Sequence, residues 1–288
     1  MDRNAASGRL RLVDAGQITA AVAGLCLKAN VFIGGDIIAA LSSAKETESS
    51  PIARDTLDVL LKNAEAAEHE KLPACQDTGM AVVFVSLGSD VHVEGDIDGA
   101  INEGVRRGYK DGYFRNSVVL DPINRVNTRD NTPAVIHYSF TQGDKLRITV
   151  APKGFGSENM SGIRMLNPSD GTEGIIDFVV GTIKDAGSNP CPPVIVGVGI
   201  GGTMEKAALM SKQALLREIG ITHSEPFWAD LEALLLDRIN GLDIGPAGFG
   251  GKTTALGVHI ITYPTHIAGL PVAVNVGCHA TRHATAVI

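Results

Sequence analysis

The stretch Asn189-Pro-Cys-Pro-Pro-Val-Ile-Val-Gly-Val-Gly-Ile-Gly-Gly-Thr203 decides how the chain is read. Its β-branched run Val194 to Val198 predicts a short strand, and a helix is expected from Met204 to about Glu218. A strand passing through glycines into a helix is an α/β step. The spacing Gly197-x-Gly199-x-x-Gly202 also matches the pattern of dinucleotide sites, where glycines let a pyrophosphate approach a helix N-terminus. Two readings stand. One is a nucleotide site. The other is a tight strand–helix turn near an active centre, offering backbone N–H groups to an anion.

Working outward, apolar spacing predicts helices over Gln17 to Lys28, Asp36 to Ala44 and Pro51 to about Glu70. Met80 to Leu87 reads as a buried strand and Ile97 to Lys110 as a helix. Thr132 to Tyr138 and Lys145 to Val150 read as strands joined through the hairpin-type turn Gln142-Gly-Asp144. Thr172 to Asp185 and Pro226 to Arg238 read as helices, and Ala255 to Thr262 and Pro271 to Val276 as strands. The expectation is a mixed α/β (α+β) fold, with a helical N-terminal region followed by mixed sheets and packed helices.

Composition excludes several functions. A net charge of −7 and no Lys/Arg block argue against a nucleic-acid surface. Every apolar stretch reads as short of a membrane span. Residues 1–8 show no apolar core with a cleavage site, so no leader is expected and the chain is placed in the cytoplasm. The 33 glycines, about 11% against a usual ~7%, gather near the cysteines, as backbone passing close to a ligand requires. Phe249-Gly-Gly-Lys-Thr253 resembles the end of a P-loop, but Pro246 stands where that motif needs glycine.

Cys26 lies in an apolar helical run, the setting of a small core hydrophobe. Cys75, Cys191 and Cys278 instead occupy loops of turn residues. Cys75 is followed by Gln76 and Asp77, and Cys278 by His279, Arg282 and His283. Structural zinc usually shows paired C-x₂₋₄-C knuckles, and none is present. Three loop thiols suit an iron–sulfur cluster with an incomplete protein ligand set, which leaves one iron open to substrate.

Cys75-Gln-Asp-Thr-Gly-Met80, Lys153-Gly-Phe-Gly-Ser-Glu-Asn159, Asn189-Pro-Cys-Pro-Pro193, Gly199-Ile-Gly-Gly-Thr203 and Gly277-Cys-His-Ala-Thr-Arg-His283 together resemble the signature set of class I, iron–sulfur-dependent fumarases. The related L-tartrate dehydratases share that pattern, and the resemblance runs from about residue 10 to the C-terminus. It implies that residues 1–288 form a single cluster-binding catalytic domain, or two lobes of one. The second, smaller catalytic domain of single-chain members would be missing here and supplied by a β subunit, in an α2β2 heterotetramer. It also implies that Cys75, Cys191 and Cys278 bind a 4Fe–4S cluster with one iron lacking a protein ligand. Asp77 would serve in acid–base catalysis, Gln76 would bind substrate and Arg115 would grip a substrate carboxylate. His266 resembles an active-site histidine, and Gly154 and Gly156 belong to a loop close to substrate. Phe155 departs from the pattern, which often has glycine there.

The implied activity is reversible hydration of fumarate to S-malate, the α chain being inactive without its partner. L-tartrate dehydratase is the close alternative. A non-catalytic cluster-bearing redox sensor and a nucleotide-binding protein are the alternatives from other classes. Asn124 to Asp130 forms a polar stretch that either lines the site or caps a strand.

Overall fold

The computed structural model describes residues 10–288, so the segment read above for a leader lies outside the described residues. In chain order the elements are β1 (Arg11–Asp14), α1 (Ala15–Val31), α2 (Gly35–Thr47), α3 (Pro51–Glu70), β2 (Met80–Gly88), β3 (Val91–Glu94), α4 (Ile97–Asp111), β4 (Val135–Thr141) and β5 (Leu146–Lys153). They continue with α5 (Phe155–Glu158), β6 (Gly162–Leu166), α6 (Gly171–Ala186), β7 (Val194–Gly201), α7 (Met204–Ala214), α8 (Pro226–Asn240), β8 (Ala255–Tyr263), β9 (Leu270–Gly277) and β10 (Ala284–Val287). The mixed α/β class expected from the sequence is what the chain adopts.

These elements form two compact units. Among the described residues, the first comprises 10–32, Lys71–Lys153 and Arg282–Ile288. Its sheet has the order β10-β5-β2-β4, with β1 and β3 paired separately. Helices α1 and α4 pack together, and Ile18, Val22, Val83, Ile101 and Ile148 are essentially excluded from water at their shared core. Each such side chain contributes about 1.5–3 kcal/mol by leaving water. Asp14 starts α1 with a capping box: its carboxylate accepts from Gly16 N–H at 2.7 Å, and its own N–H donates to Gln17 Oε1 at 3.2 Å.

The expected hairpin between β4 and β5 is not formed. β2 lies between them, parallel to β4 and antiparallel to β5. The end of β2 threads the turn instead: Ser89 N–H donates to Thr141, Asp90 N–H to Gly143 and Gly88 N–H to Lys145, all on carbonyl oxygens.

The second unit comprises Ile33–Glu70 and Gly154–Thr281. Its sheet has the order β6-β9-β7-β8, and all eight residues of β7 are buried. Period-two alternation assigns their faces. Val194, Val196, Val198 and Ile200 pack into the core that contains α6 and α8. Gly197 and Gly199 point the other way, toward α7. A Cβ on Gly197 would lie 2.0 Å from the Ser211 carbonyl oxygen, and one on Gly199 would lie 2.1 Å from that of Ala207. These glycines lie inside β7 and seat α7 directly on the strand, while the strand–helix turn itself follows at Gly202–Thr203, at the end of β7 away from Cys191.

The expectation that no apolar stretch reaches membrane-spanning length is corrected here. Ala15–Thr47 is long and apolar enough by length and composition. The chain breaks it at Phe32–Gly34, however, and α1 and α2 each bury an apolar face within their own unit.

Candidate functional site

In the first unit, the loop carrying Cys75 leads into β2 and is held from below by buried polar side chains. Ala74 N–H donates to the Asn30 carbonyl oxygen at 2.9 Å. Arg282 Nη2 donates to the Asp77 carbonyl oxygen at 2.8 Å and to Asn30 Oδ1 at 3.2 Å. Tyr109 O–H reaches the Thr78 and Gly79 carbonyl oxygens at 2.6 and 3.2 Å, and Asn131 Nδ2 reaches that of Gly79 at 3.1 Å. Asn30, Tyr109, Asn131 and Arg282 are each at most 5% exposed. The loop carbonyls thus face donors in the interior, while Gln76 is exposed and Cys75 and Asp77 are half-buried. Asp77 Oδ1 accepts from Gly79 N–H at 3.0 Å, which orients the carboxylate.

Gly79 is obligatory. Its φ is +72°, and a Cβ there would stand 2.7 Å from the Lys153 backbone. The motif segment Cys75–Met80 is therefore packed against Lys153, the first residue of the next motif, where β5 ends opposite Met80.

Arg115 belongs to the same neighbourhood through its backbone, since Thr78 Oγ1 donates to its carbonyl oxygen at 2.9 Å. Its side chain is exposed. Side-chain amides of the segment beyond it brace this loop. Asn127 Nδ2 donates to the Asn116 carbonyl, Asn116 Nδ2 to that of Arg129, and Asn131 Oδ1 accepts from Ser117 N–H.

In the second unit, Ile195 stands opposite Gly277 in the antiparallel β7–β9 pair. That register puts the chain entering β7 and the chain leaving β9 at one end of the sheet, so Cys191 and Cys278 share an edge. His279 Nδ1 donates to the Cys191 carbonyl oxygen at 3.0 Å, tying the two loops. Cys191 has a left-handed φ of 55° and precedes a cis peptide bond between Pro192 and Pro193. Thr281 closes the Cys278 turn with both its N–H and its hydroxyl on the Cys278 carbonyl oxygen, at 2.9 and 2.8 Å.

The loop carrying Gly154 and Gly156 reaches the same end. A Cβ on Gly156 would be 3.8 Å from the Asn189 carbonyl oxygen. Glu158 anchors it, pairing with Lys212 Nζ at 2.6 Å and accepting from Asn275 Nδ2 at 3.1 Å.

His266 is placed elsewhere. The β8–β9 turn that carries it lies beside Gly202, whose N–H donates to the Pro264 carbonyl oxygen at 3.2 Å. That is the opposite end of β7 from Cys191, roughly 25 Å away at about 3.3 Å per residue. The ring is exposed, and its Nδ1 accepts from Ala268 N–H at 3.2 Å, so the neutral imidazole carries its proton on Nε2.

All four cysteines are thiols. Cys26 is buried and its thiol is pushed up to about 12 by desolvation, which makes it inert. Cys75, Cys191 and Cys278 are accessible to different degrees, Cys191 most. Soft sulfur donors in glycine- and proline-rich loops suit iron–sulfur ligation. Among the described residues, no three His, Cys, Asp or Glu side chains stand as around a single metal ion.

These loops are marked in the amino-acid sequence, but their supports are not. Asn30 and Tyr109 have partners 30 or more positions away, and Asn131, at the end of the polar stretch, has one 52 positions away, so no local spacing marks them. Arg282 is visible within its motif, though without a role.

The profile of the fumarate hydratase (Fumerase) family matches residues 19–287. The chain is 41% identical over 275 residues to "Putative L(+)-tartrate dehydratase subunit alpha" of Methanocaldococcus jannaschii, covering 93% of this chain and 96% of that protein. It is 34% identical over 273 residues to L(+)-tartrate dehydratase subunit alpha of Escherichia coli strain UTI89, covering 93% and 90%. Against the protein of that name from Escherichia coli strain K12 it is 33% identical over 276 residues, covering 94% and 91%.

Proposed function

The chain belongs to the fumarate hydratase (Fumerase) family of hydro-lyases, and from that premise we propose that it is the α subunit of an L(+)-tartrate dehydratase. The observation that carries the choice of substrate is the name borne by relatives 34% and 41% identical over 90% and 96% of their lengths. This moves the weight from fumarate, the first expectation from the sequence, to its close alternative. Fumarate hydration stays as the second reading, because the matching family profile carries that description.

The donors proposed for a 4Fe–4S cluster are Cys75, Cys191 and Cys278. Such a cluster, with one iron lacking a protein ligand, supplies Lewis acidity toward a leaving hydroxyl. The rest of the reaction falls to side chains. Dehydration of tartrate removes the C2 hydroxyl and the C3 proton, leaving an enol that tautomerises to oxaloacetate. The C3 proton is acidified only by its neighbouring carboxylate, so a fixed donor must stabilise the developing dianion. Arg115 is proposed for this role because its planar fork matches a carboxylate. Asp77, with one oxygen on Gly79 N–H, is proposed to hold or deliver a proton. Gln76, exposed at the loop crest, is proposed to bind a substrate hydroxyl or carboxylate, and Gly154 and Gly156 to let backbone approach it.

Within one chain, His266 and the pair Cys191–Cys278 occupy opposite ends of one sheet. His266 is therefore proposed to serve the site of a second copy, in an assembly with a β subunit that completes catalysis. The thiol donors call for a reducing compartment, and the cytoplasm is proposed. Assaying the α–β pair with L(+)-tartrate and with fumarate tests the reading.

A further inference from the structure

We propose that Arg282 is a positioning residue that sets the geometry of Cys75 and Asp77. One guanidinium nitrogen is shared between the Asp77 carbonyl oxygen at 2.8 Å and Asn30 Oδ1 at 3.2 Å. Asn30 carries the restraint to the other side of the cysteine, because its own carbonyl oxygen receives Ala74 N–H at 2.9 Å. Residues 74 and 77 are thus both pinned, and Cys75 and Gln76 form the span between two fixed points.

The brace itself cannot drift. Asn30 is 0% exposed, with Nδ2 on the Cys26 carbonyl oxygen at 3.0 Å, and Arg282 is 5% exposed. Two residues after Arg282 the chain enters β10, whose Ala284 is registered opposite Val150 of β5. A guanidinium donating to a carbonyl is a charge-assisted bond held in a rigid plane. Lysine would bring the charge on a flexible stem without the rigid plane, and methionine would bring neither.

The importance given to Cys75 rests on the functional reading above, but the brace is testable without metal or substrate. The full chain, freed of iron by chelation, is treated with iodoacetamide, and alkylation of each cysteine is followed by peptide mass spectrometry. Cys26 reports the fold, and Cys191 and Cys278 are internal references. In Arg282→Met we expect Cys75 to react at least threefold faster. Cys26 should stay protected, and the two references should be unchanged. Arg282→Lys should fall between. Unchanged Cys75 reactivity in a folded Arg282→Met chain would overturn the proposal. So would simultaneous exposure of Cys26 in both variants, because Arg282 would then hold the whole unit together. A parallel reconstitution reads absorption near 400 nm in complex with the β partner. If Cys75 responds as expected but wild type never gains that absorption, the cluster reading fails and the brace stands.

Discussion

His279 donates through Nδ1 to the carbonyl oxygen of Cys191, at 3.0 Å, although 88 residues separate them. The bond fixes the imidazole tautomer and ties the loop after β9 to the loop before β7. It also restrains the left-handed backbone of Cys191, a conformation that a non-glycine residue holds only when its surroundings impose it.

Replacing His279 by Ala should leave the sheet intact and loosen the Cys191 loop. Outer partners of metal ligands are worth about 10–100-fold in metal affinity. Reconstituted His279→Ala should therefore lose iron on exposure to air roughly tenfold faster than wild type, and His279→Gln, which keeps a donor, should recover part of the difference. Absorption near 400 nm followed over time measures this.

Gly79→Ala should be severely destabilising, by about 2 kcal/mol or more, because the new methyl meets the Lys153 backbone at 2.7 Å in a left-handed conformation. Gly181→Ala, within α6 with nothing within 4 Å, should stabilise by about 0.5–1 kcal/mol. Urea denaturation of the two variants beside wild type gives both signs in one experiment.

Burial raises the Cys26 thiol from 9.0 to about 12. The folded chain keeps this proton while the unfolded chain releases it. The associated stability is fully present below pH 9 and is lost as pH rises toward 12, at about 1.4 kcal/mol per pH unit. Denaturation midpoints of wild type should therefore fall faster than those of Cys26→Ala between pH 9 and 10.5. Parallel curves would show that Cys26 is not buried as described.

The separation of His266 from Cys278 predicts complementation between copies. Chains carrying His266→Asn alone or Cys278→Ser alone should be inactive with the β partner. Co-assembled at random from equal amounts of both, the preparation should regain up to about a quarter of wild-type activity, since about half of the assemblies are mixed and each of these carries one intact site of its two. No recovery from a mixed assembly verified by mass would place His266 outside the site.

Much of the fold is legible in the amino-acid sequence. The long helices are marked by 3.6-residue spacing, and β7 by a β-branched run bounded by prolines and glycines. The turn between β4 and β5 misleads because a turn signal reports that the chain reverses, not that the two arms touch; β2 takes the place between them. Strands β6 and β10 carry no such mark, since five and four residues are too short to show a period. At the site, the cysteine loops announce themselves by their turn residues. Their braces do not, because Asn30 looks like a polar residue near the end of an apolar helix and Tyr109 like an ordinary aromatic of an amphipathic one until the loop they serve is folded over them.

The proposed substrate is decided by the specificity constant of the anaerobically assembled α–β pair for L(+)-tartrate and for fumarate, measured in the same preparation. Tartrate dehydration to oxaloacetate should show the larger kcat/KM, abolished by Cys191→Ser together with the absorption near 400 nm. Robust fumarate hydration with no tartrate turnover would contradict the choice of substrate. A fully active, iron-free Cys191→Ser complex would contradict the proposed chemistry itself.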